Sequence, residues 1–382
     1  MGYAAARGFT VNDGDTRKEI LLRRVREVKL LVTACAALMA FGAAACGSSD
    51  DNNSDGSTGD AAKKSVKVGL AYDIGGRGDK SFNDAAAAGL EKAKADLNVE
   101  VKELEAVPNE TENDKYSRLK LLCQGGYNPI IAVGFVYAGN DPANGPLAKA
   151  AKDCPNVHFA IIDDSSVTAA NVASLVFAEE QGSFLVGAAA MLKSKTGTVG
   201  FVGGCDVPLI KKFEAGYMAG AKAVKADGKV LSNYLSTPAD KCSGFNDAAK
   251  GETSAGGLYD AGADVVYQAA GGSGTGVFKA AKAKGKLAIG VDSDQYNTVT
   301  ADLKDVIITS MLKRVDVAVY DFVKSESAGT FKSGVRTFDL KSEGVGYSTT
   351  GGKIDDIKTK LDEYKQQIIS GAVKVPTEPA KS

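Results

Sequence analysis

The sequence predicts an α/β protein built as two similar parallel-sheet halves with a ligand cleft between them. Three observations carry this prediction. From Val66 onward, short apolar, β-branched runs alternate with helical runs, the pattern of strands joined by crossover helices. The second half repeats the scheme with no linker between the two. Glycine, aspartate and phenylalanine residues gather where strands end, and in open α/β sheets ligands bind at the carboxyl ends of strands.

Val66–Tyr72 is the first strand. Asp73 ends its apolar run, and Gly75, Gly76 and Gly78 allow a sharp turn. Ser81 with Asp84 three residues on reads as a capping box ahead of an alanine-rich helix. Further strands are expected at Glu100–Ala106, Pro129–Val133, Val157–Ile162 and Val172–Phe177, with helices at Asp84–Ala95, Asp114–Gln124 and Pro146–Lys152. The second half supplies strands Gly197–Val202, Lys229–Tyr234, Val265–Gln268, Ala288–Val291 and Val306–Ser310. Its helices are Gly182–Lys193, Leu209–Ala226, Gly251–Ala261 and Gly276–Lys284. Helix Val315–Ser325 and an amphipathic helix Ile354–Ser370 complete the chain.

The 382 residues are 44% apolar and 24% charged with a formal net charge of -1, which suits about two globular domains. This near-neutral balance offers no footprint for nucleic acid. His158 is the only histidine, so His-rich zinc sites and Ser-His chemistry are disfavoured. Its place beside a strand points to a structural role.

The amino-terminal 45 residues read as an export signal. Arg17, Lys18, Arg23, Arg24, Arg26 and Lys29 precede an uncharged, mostly apolar run from Leu30 to Ala45, ending in small residues before Cys46. The stretch from Met1 is longer than such signals need, and a start codon assigned too early would explain the excess. Residues 46–65 are polar and without periodicity, a flexible tether. Asp51, Asn53, Asp55 and Gly56 mimic the start of a calcium loop, but Ala62 stands where its glutamate belongs. No metal site and no cofactor are expected.

Cys123, Cys154, Cys205 and Cys242 fall in the exported body, where disulfides persist. Four cysteines permit three pairings, and their order along two domains favours Cys123–Cys154 and Cys205–Cys242. No C-x-x-C is present, which leaves redox catalysis and zinc ribbons without support.

The candidate binding residues sit at strand ends. Asp73, Ser81, Phe82 and Asn83 follow the first strand; an aromatic face beside an amide suits a flat ligand bearing heteroatoms. Gly134 and Phe135 follow the third strand, and Asp163 the fourth. Phe213 flanks the start of the second half, Gly271 and Gly272 follow Val265–Gln268, Asp292 follows Ala288–Val291, and Lys313 follows the last strand. Carboxylates suit sugar hydroxyls, and Phe213 can stack on the far side of a ring held by Phe82. Enzyme motifs fail: AAGGSGTGV lacks the Lys-Ser/Thr of a P-loop and the spacing of a dinucleotide fingerprint. No catalytic residue is assigned.

AYDIGGRGDKSFN, IIAVGF, HFAIIDD, EEQGSFLVGAAA, VGFVGGCDVPLIKKFEAGYMAG, AAGGSGTGVFKAA and IGVDSDQ together resemble the basic membrane protein family of substrate-binding lipoproteins. Its best-known branch is the purine nucleoside receptor. The small residues before Cys46 likewise resemble a lipobox, with Ala43 where leucine is usual, which implies lipidation of Cys46 and an anchor on the extracytoplasmic face. The family is similar to type I periplasmic binding proteins, two Rossmann-like lobes joined by three crossovers. The resemblance places crossovers near Glu179, near Tyr296 to Asp302 and near Thr330 to Arg336. Lobe 1 would then be 66–178 plus about 303–330, and lobe 2 179–302 plus about 337–382. It further implies a purine held between Phe82 and Phe213. Asp73 and Asn83 would meet the base edge. Asp292, Gly271 or Gly272 and Lys313 would hold the ribose, with Asp163 beside them. The expected function is a monomeric receptor that delivers a nucleoside to an ABC transporter permease. A receptor for a sugar or other polar solute and a secreted nucleoside-cleaving enzyme are the alternatives. The four body cysteines and Arg77–Gly78 depart from the family pattern.

Overall fold

Apolar runs and helices assemble into two sheets in the computed structural model, which describes residues 66–380. The signal segment, Cys46 and the tether lie outside the described residues. The first sheet contains β1 (Lys67–Ala71), β2 (Glu100–Leu104), β3 (Ile130–Ala132), β4 (Phe159–Ile162), β5 (Val172–Phe177) and β11 (Gly334–Phe338). The second contains β6 (Thr198–Gly203), β7 (Lys229–Tyr234), β8 (Val265–Ala269), β9 (Leu287–Asp292), β10 (Ile307–Lys313) and β12 (Val345–Tyr347). Their orders, β2-β1-β3-β4-β5-β11 and β7-β6-β8-β9-β10-β12, are the same arrangement twice. Every pairing is parallel except that of β12 with β10. β1 is buried at every position after Lys67, as expected of a strand covered on both faces.

The helices of eight residues or more are α1 (Phe82–Leu97), α2 (Glu112–Gln124), α3 (Pro146–Asp153), α4 (Glu179–Lys193), α5 (Pro208–Val224), α6 (Ala248–Asp260), α7 (Gly274–Lys284), α8 (Val315–Ser327) and α9 (Lys358–Ile369). α1 buries Ala85, Ala86, Gly89, Leu90 and Ala93, one face of a 3.6-residue period. α2 carries the capping box that Thr111 and Asp114 encode. The disulfide Cys123–Cys154 ties the end of α2 to the end of α3. Cys205–Cys242 joins the loop after β6 to the segment after β7. His158 stacks on Phe331 with centroids 3.8 Å apart and places Nδ1 3.0 Å from Glu326 Oε2, away from the cleft.

The chain passes between sheets at three places. It leaves the first sheet after β5 and enters the second lobe at α4. It returns after Lys313, where α8 packs on α1. It crosses again between β11 and β12, and α9 then packs on α4. Two expected crossovers are therefore corrected. Tyr296 to Asp302 connects β9 to β10 within the second lobe, because β10 pairs in parallel with β9. Thr330 to Arg336 stays in the first lobe and leads into β11, which pairs with β5. The first lobe's return segment accordingly begins after Lys313, not near 303. β11 and β12 had no strand signal: the first is an exposed edge strand and the second is three residues long, so neither offers an apolar run.

α4 and α5 approach at backbone distance. A Cβ on Gly220 would overlap the carbonyl oxygen of Phe184, and one on Gly187 that of Tyr217. Backbone cannot swing aside as a side chain can, so only glycine fits. Gly220→Ala is expected to destabilise the protein by about 1–3 kcal/mol. The check is a lower urea midpoint at unchanged m-value.

Candidate functional site

Both sheets present the carboxyl ends of their strands to one cavity with an empty volume of about 540 Å³, mouth included. The strand order reverses direction beside β1 in one sheet and β6 in the other, and loops diverging from such a point leave a crevice. Asp73, Phe82, Asn83, Phe135, Asp163, Phe213, Gly271, Asp292 and Lys313 all line the cavity. Ser81, Gly134 and Gly272 are not among its lining residues.

Lys313, at the end of β10, sits at the centre. It is 2% exposed. Its Nζ donates to Asp163 Oδ2 at 2.6 Å and lies 3.2 Å from Glu179 Oε1. Burial lowers its proton affinity, but Asp163, Glu179 and Asp292 outweigh that and hold it charged. Glu179, fully buried in the first turn of α4, also pairs with Lys212. The same ammonium is 5.2 Å from the ring centroid of Phe82, 5.0 Å from that of Phe177 and 5.4 Å from that of Phe213, within cation–π range. Phe82 and Phe213, from opposite lobes, thus converge on one point.

The glycine loop after β1 is held by carboxylates. Asp79, not Ser81, caps α1: its oxygens accept from the backbone N–H groups of Ser81, Asn83 and Asp84. The expected capping box does not form, because Ser81 makes no side-chain cap bond and its hydroxyl is drawn elsewhere. Asp84 instead accepts from the N–H groups of Gly78 and Lys80. Asn83 lines the cavity, but its amide is engaged by protein. Its Oδ1 accepts from Asp73 N–H at 3.1 Å, and its Nδ2 donates to Asp79 Oδ2 at 3.0 Å. Asp73 accepts from Ile74 N–H at 2.6 Å. Gly134, at φ 101°, lies against the Asp73 carboxylate, which a Cβ there would overlap. The glycine is there to make room for the acid.

The lobes meet through polar contacts. Ser81 Oγ donates to Asp292 Oδ2. Gln295 Nε2 donates to Lys80 O at 2.9 Å, and Lys241 Nζ to Asn109 O at 2.9 Å. Four cavity carboxylates, Asp73, Asp79, Asp163 and Asp292, face one lysine. Burial raises Asp79 and Asp163 above the ordinary carboxylate range, and pushes Asp73 and Asp292 up to about 7. Among the described residues no group of His, Cys, Asp and Glu could hold a metal ion, and no helix is long and apolar enough to cross a membrane.

The cavity also contains Asp79, Ile74, Leu209, Ile210 and Phe245, which sequence reasoning missed. Asp79 carried a signal, since an acid shortly before a helix is a capping residue. Phe245 carried none. It sits in an irregular segment, and only folding brings it beside Gly204 and Gly271.

Asp73 and Asp292 have folded values of about 7 against 3.8 for a free side chain. Between these values the folded protein holds protons that the unfolded chain has released, so stability falls as pH rises through the window. The urea midpoint is expected to be higher at about pH 5 than at about pH 8. The double substitution Asp73→Asn, Asp292→Asn should reduce that slope, with Asp79 and Asp163 accounting for part of what remains.

The sequence pattern of the Bmp family, described as "ABC transporter substrate-binding protein PnrA-like", matches residues 65–378. The CD4+ T-cell-stimulating antigen of Listeria innocua is 37% identical over 351 residues, covering 88% of this chain and 94% of that one. The ABC transporter nucleoside-binding protein BmpA of Lactococcus lactis is 32% identical over 370 residues, covering 93% of this chain and 99% of that one. A crystal structure of a solute-binding protein of an ABC transporter system from Aeropyrum pernix is similar with a TM-score of 0.70 at 30% identity. It covers 82% of this chain and 94% of that one. The two-lobed cleft and these likenesses agree: the chain belongs to the Bmp family of PnrA-like ABC transporter substrate-binding proteins.

Proposed function

We propose that this protein captures a nucleoside, with a purine base, between its lobes and delivers it to an ABC importer. The observation that carries the reading is the convergence of aromatic rings from both lobes on a cavity rimmed by buried carboxylates. Phe82 supplies the first face. On the second lobe Phe213 is only 3% exposed and forms the floor, whereas Phe245 is half-buried and open to the cavity. Phe245 therefore gives the outer wall. A base stacked on such rings gains about 1–3 kcal/mol per contact.

The polar rim suits the rest of the ligand. Asp73 is placed to accept from the base edge, and Asn83 braces it. Asp292, Asp163 and Lys313 supply acceptors and a donor for ribose hydroxyls. Phe135 and the Gly271 backbone complete the wall, while Ser81 and Gly134 act through Asp292 and Asp73. The relative named as nucleoside-binding supports the same reading. The mechanism is capture, not chemistry: members of this family are substrate-binding proteins. Lipidation of Cys46 would hold the monomer on the extracytoplasmic face through the 46–65 tether, with a permease as its partner.

Mass spectrometry of ligand released from the denatured protein should find a purine nucleoside. Inosine at about 100 times its Kd should stabilise the protein by about 2.7 kcal/mol. Phe82→Ala and Phe245→Ala should each weaken inosine about 10-fold or more while sparing much of any affinity for a sugar. No thermal shift with any nucleoside at saturation would overturn the reading.

Carboxylate ionisation sets a second expectation. Once pH rises above about 7 and Asp73 and Asp292 lose their protons, a phosphate entering among four carboxylates meets repulsion that screening by solvent does not remove. Inosine 5′-monophosphate should bind about 100-fold more weakly than inosine at about pH 8. Calorimetric titration of the two ligands is the check.

A further inference from the structure

The segment between β7 and α6 forms a lid. It has no regular support beyond two short 3₁₀ turns, Pro238–Asp240 and Ser243–Asn246, yet it does three things. It places Phe245 in the cavity wall. It sends Lys241 Nζ across to Asn109 O of the first lobe at 2.9 Å. It sets Asn246 beside Gly75, also of the first lobe. A segment of this length without helix or strand needs fixing from outside.

The fixing is concentrated at one strand end. Cys242 is bonded to Cys205, two residues beyond β6, with Cα atoms 5.1 Å apart. Lys241 and Cys242 both hold φ of 52°, a left-handed conformation that non-glycine residues rarely adopt. Ser236 Oγ donates to Gly204 O at 2.6 Å and accepts from Gly244 N–H at 2.9 Å. The Phe245 ring lies directly on Gly204, where a Cβ would overlap it. The disulfide thus closes an irregular segment that touches both lobes.

We propose that Cys205 and Cys242 are positioning residues for ligand retention: their bond pins the lid so that Phe245 and Lys241 stay in place when the lobes close. This rests on the capture reading above. The cysteines touch no ligand and act through the segment they hold.

The second disulfide is a built-in control. Cys123–Cys154 closes a sequence separation of 31 against 37 for Cys205–Cys242. Loop-closure entropy depends only weakly on such a difference. Cys205→Ser/Cys242→Ser and Cys123→Ser/Cys154→Ser should therefore lower the melting temperature by similar amounts. Only the first should raise the Kd for inosine, about 10-fold, with most of the change in the dissociation rate. Gly204→Ala, which lifts Phe245 while keeping both disulfides, should weaken inosine similarly. Equal Kd in both double variants overturns the proposal. If the unsubstituted protein binds no nucleoside, the capture reading fails by itself. Hydrogen exchange in the ligand-free protein then decides the lid. Faster exchange at Gly244 and Phe245 in the Cys205/Cys242 variant alone supports the pinning, and unchanged exchange overturns it. The same exchange measurement decides if Gly204→Ala does not fold.

Discussion

The structure depends on one buried cation. Lys313 ends the last parallel strand of the second sheet, at the point where the chain leaves for the first lobe, and its ammonium is shared by Asp163 and Glu179. Asp163 follows β4 of the first sheet, and Glu179 opens the helix that enters the second lobe. Two crossing points of the polypeptide, after β5 and after β10, and the end of β4 are thereby gathered around one charge. A buried ion pair gains little net stability against a hydrophobic replacement, but losing one partner leaves an uncompensated charge. Such a pair fixes geometry more than it adds stability. Here the geometry it fixes is the hinge and the floor of the cleft together.

The rest of the cleft follows from that arrangement. Rings from both lobes point at the ammonium, so the aromatic surfaces face inward across a narrow space. The carboxylates at neighbouring strand ends are drawn into a low-dielectric site, where burial raises their proton affinity and strengthens any hydrogen bond they accept. Hydrogen bonds across the lobes run from Ser81 to Asp292, Ser293 to Ser81 O, Gln295 to Lys80 O and Lys241 to Asn109 O. Hydrogen bonds of this kind exchange with water at modest net cost.

Local glycine placement shows how tightly sequence is tied to site. Gly134 gives space to the Asp73 carboxylate, and Gly204 gives space to the Phe245 ring. Gly134 stood out in the sequence as a strand-end candidate for binding, but nothing nearby in the chain names the group that needs the room at either glycine. Asn83 shows the converse. Its position in the first turn of α1 and its place in the cavity wall were both legible, but its amide is consumed in holding Asp73 and Asp79.

What the sequence alone determined was local: alternation of strand and helix, the repeat of one half in the other, the gathering of Asp73, Phe82, Phe135, Asp163, Phe213, Gly271, Asp292 and Lys313 at strand ends. These follow from period and propensity within a few residues, and parallel topology then places all strand ends at one cleft. What the tertiary structure decided was long-range. It assigned β10 to the second sheet and β11 to the first. It took Ser81 from its helix cap to Asp292, 211 residues away, and set Lys313 on Asp163, 150 residues away. It also brought Phe245 into the wall. Each of these choices is made by a partner distant in sequence, and periodicity within a window carries no information about which distant group will fill a space or neutralise a charge.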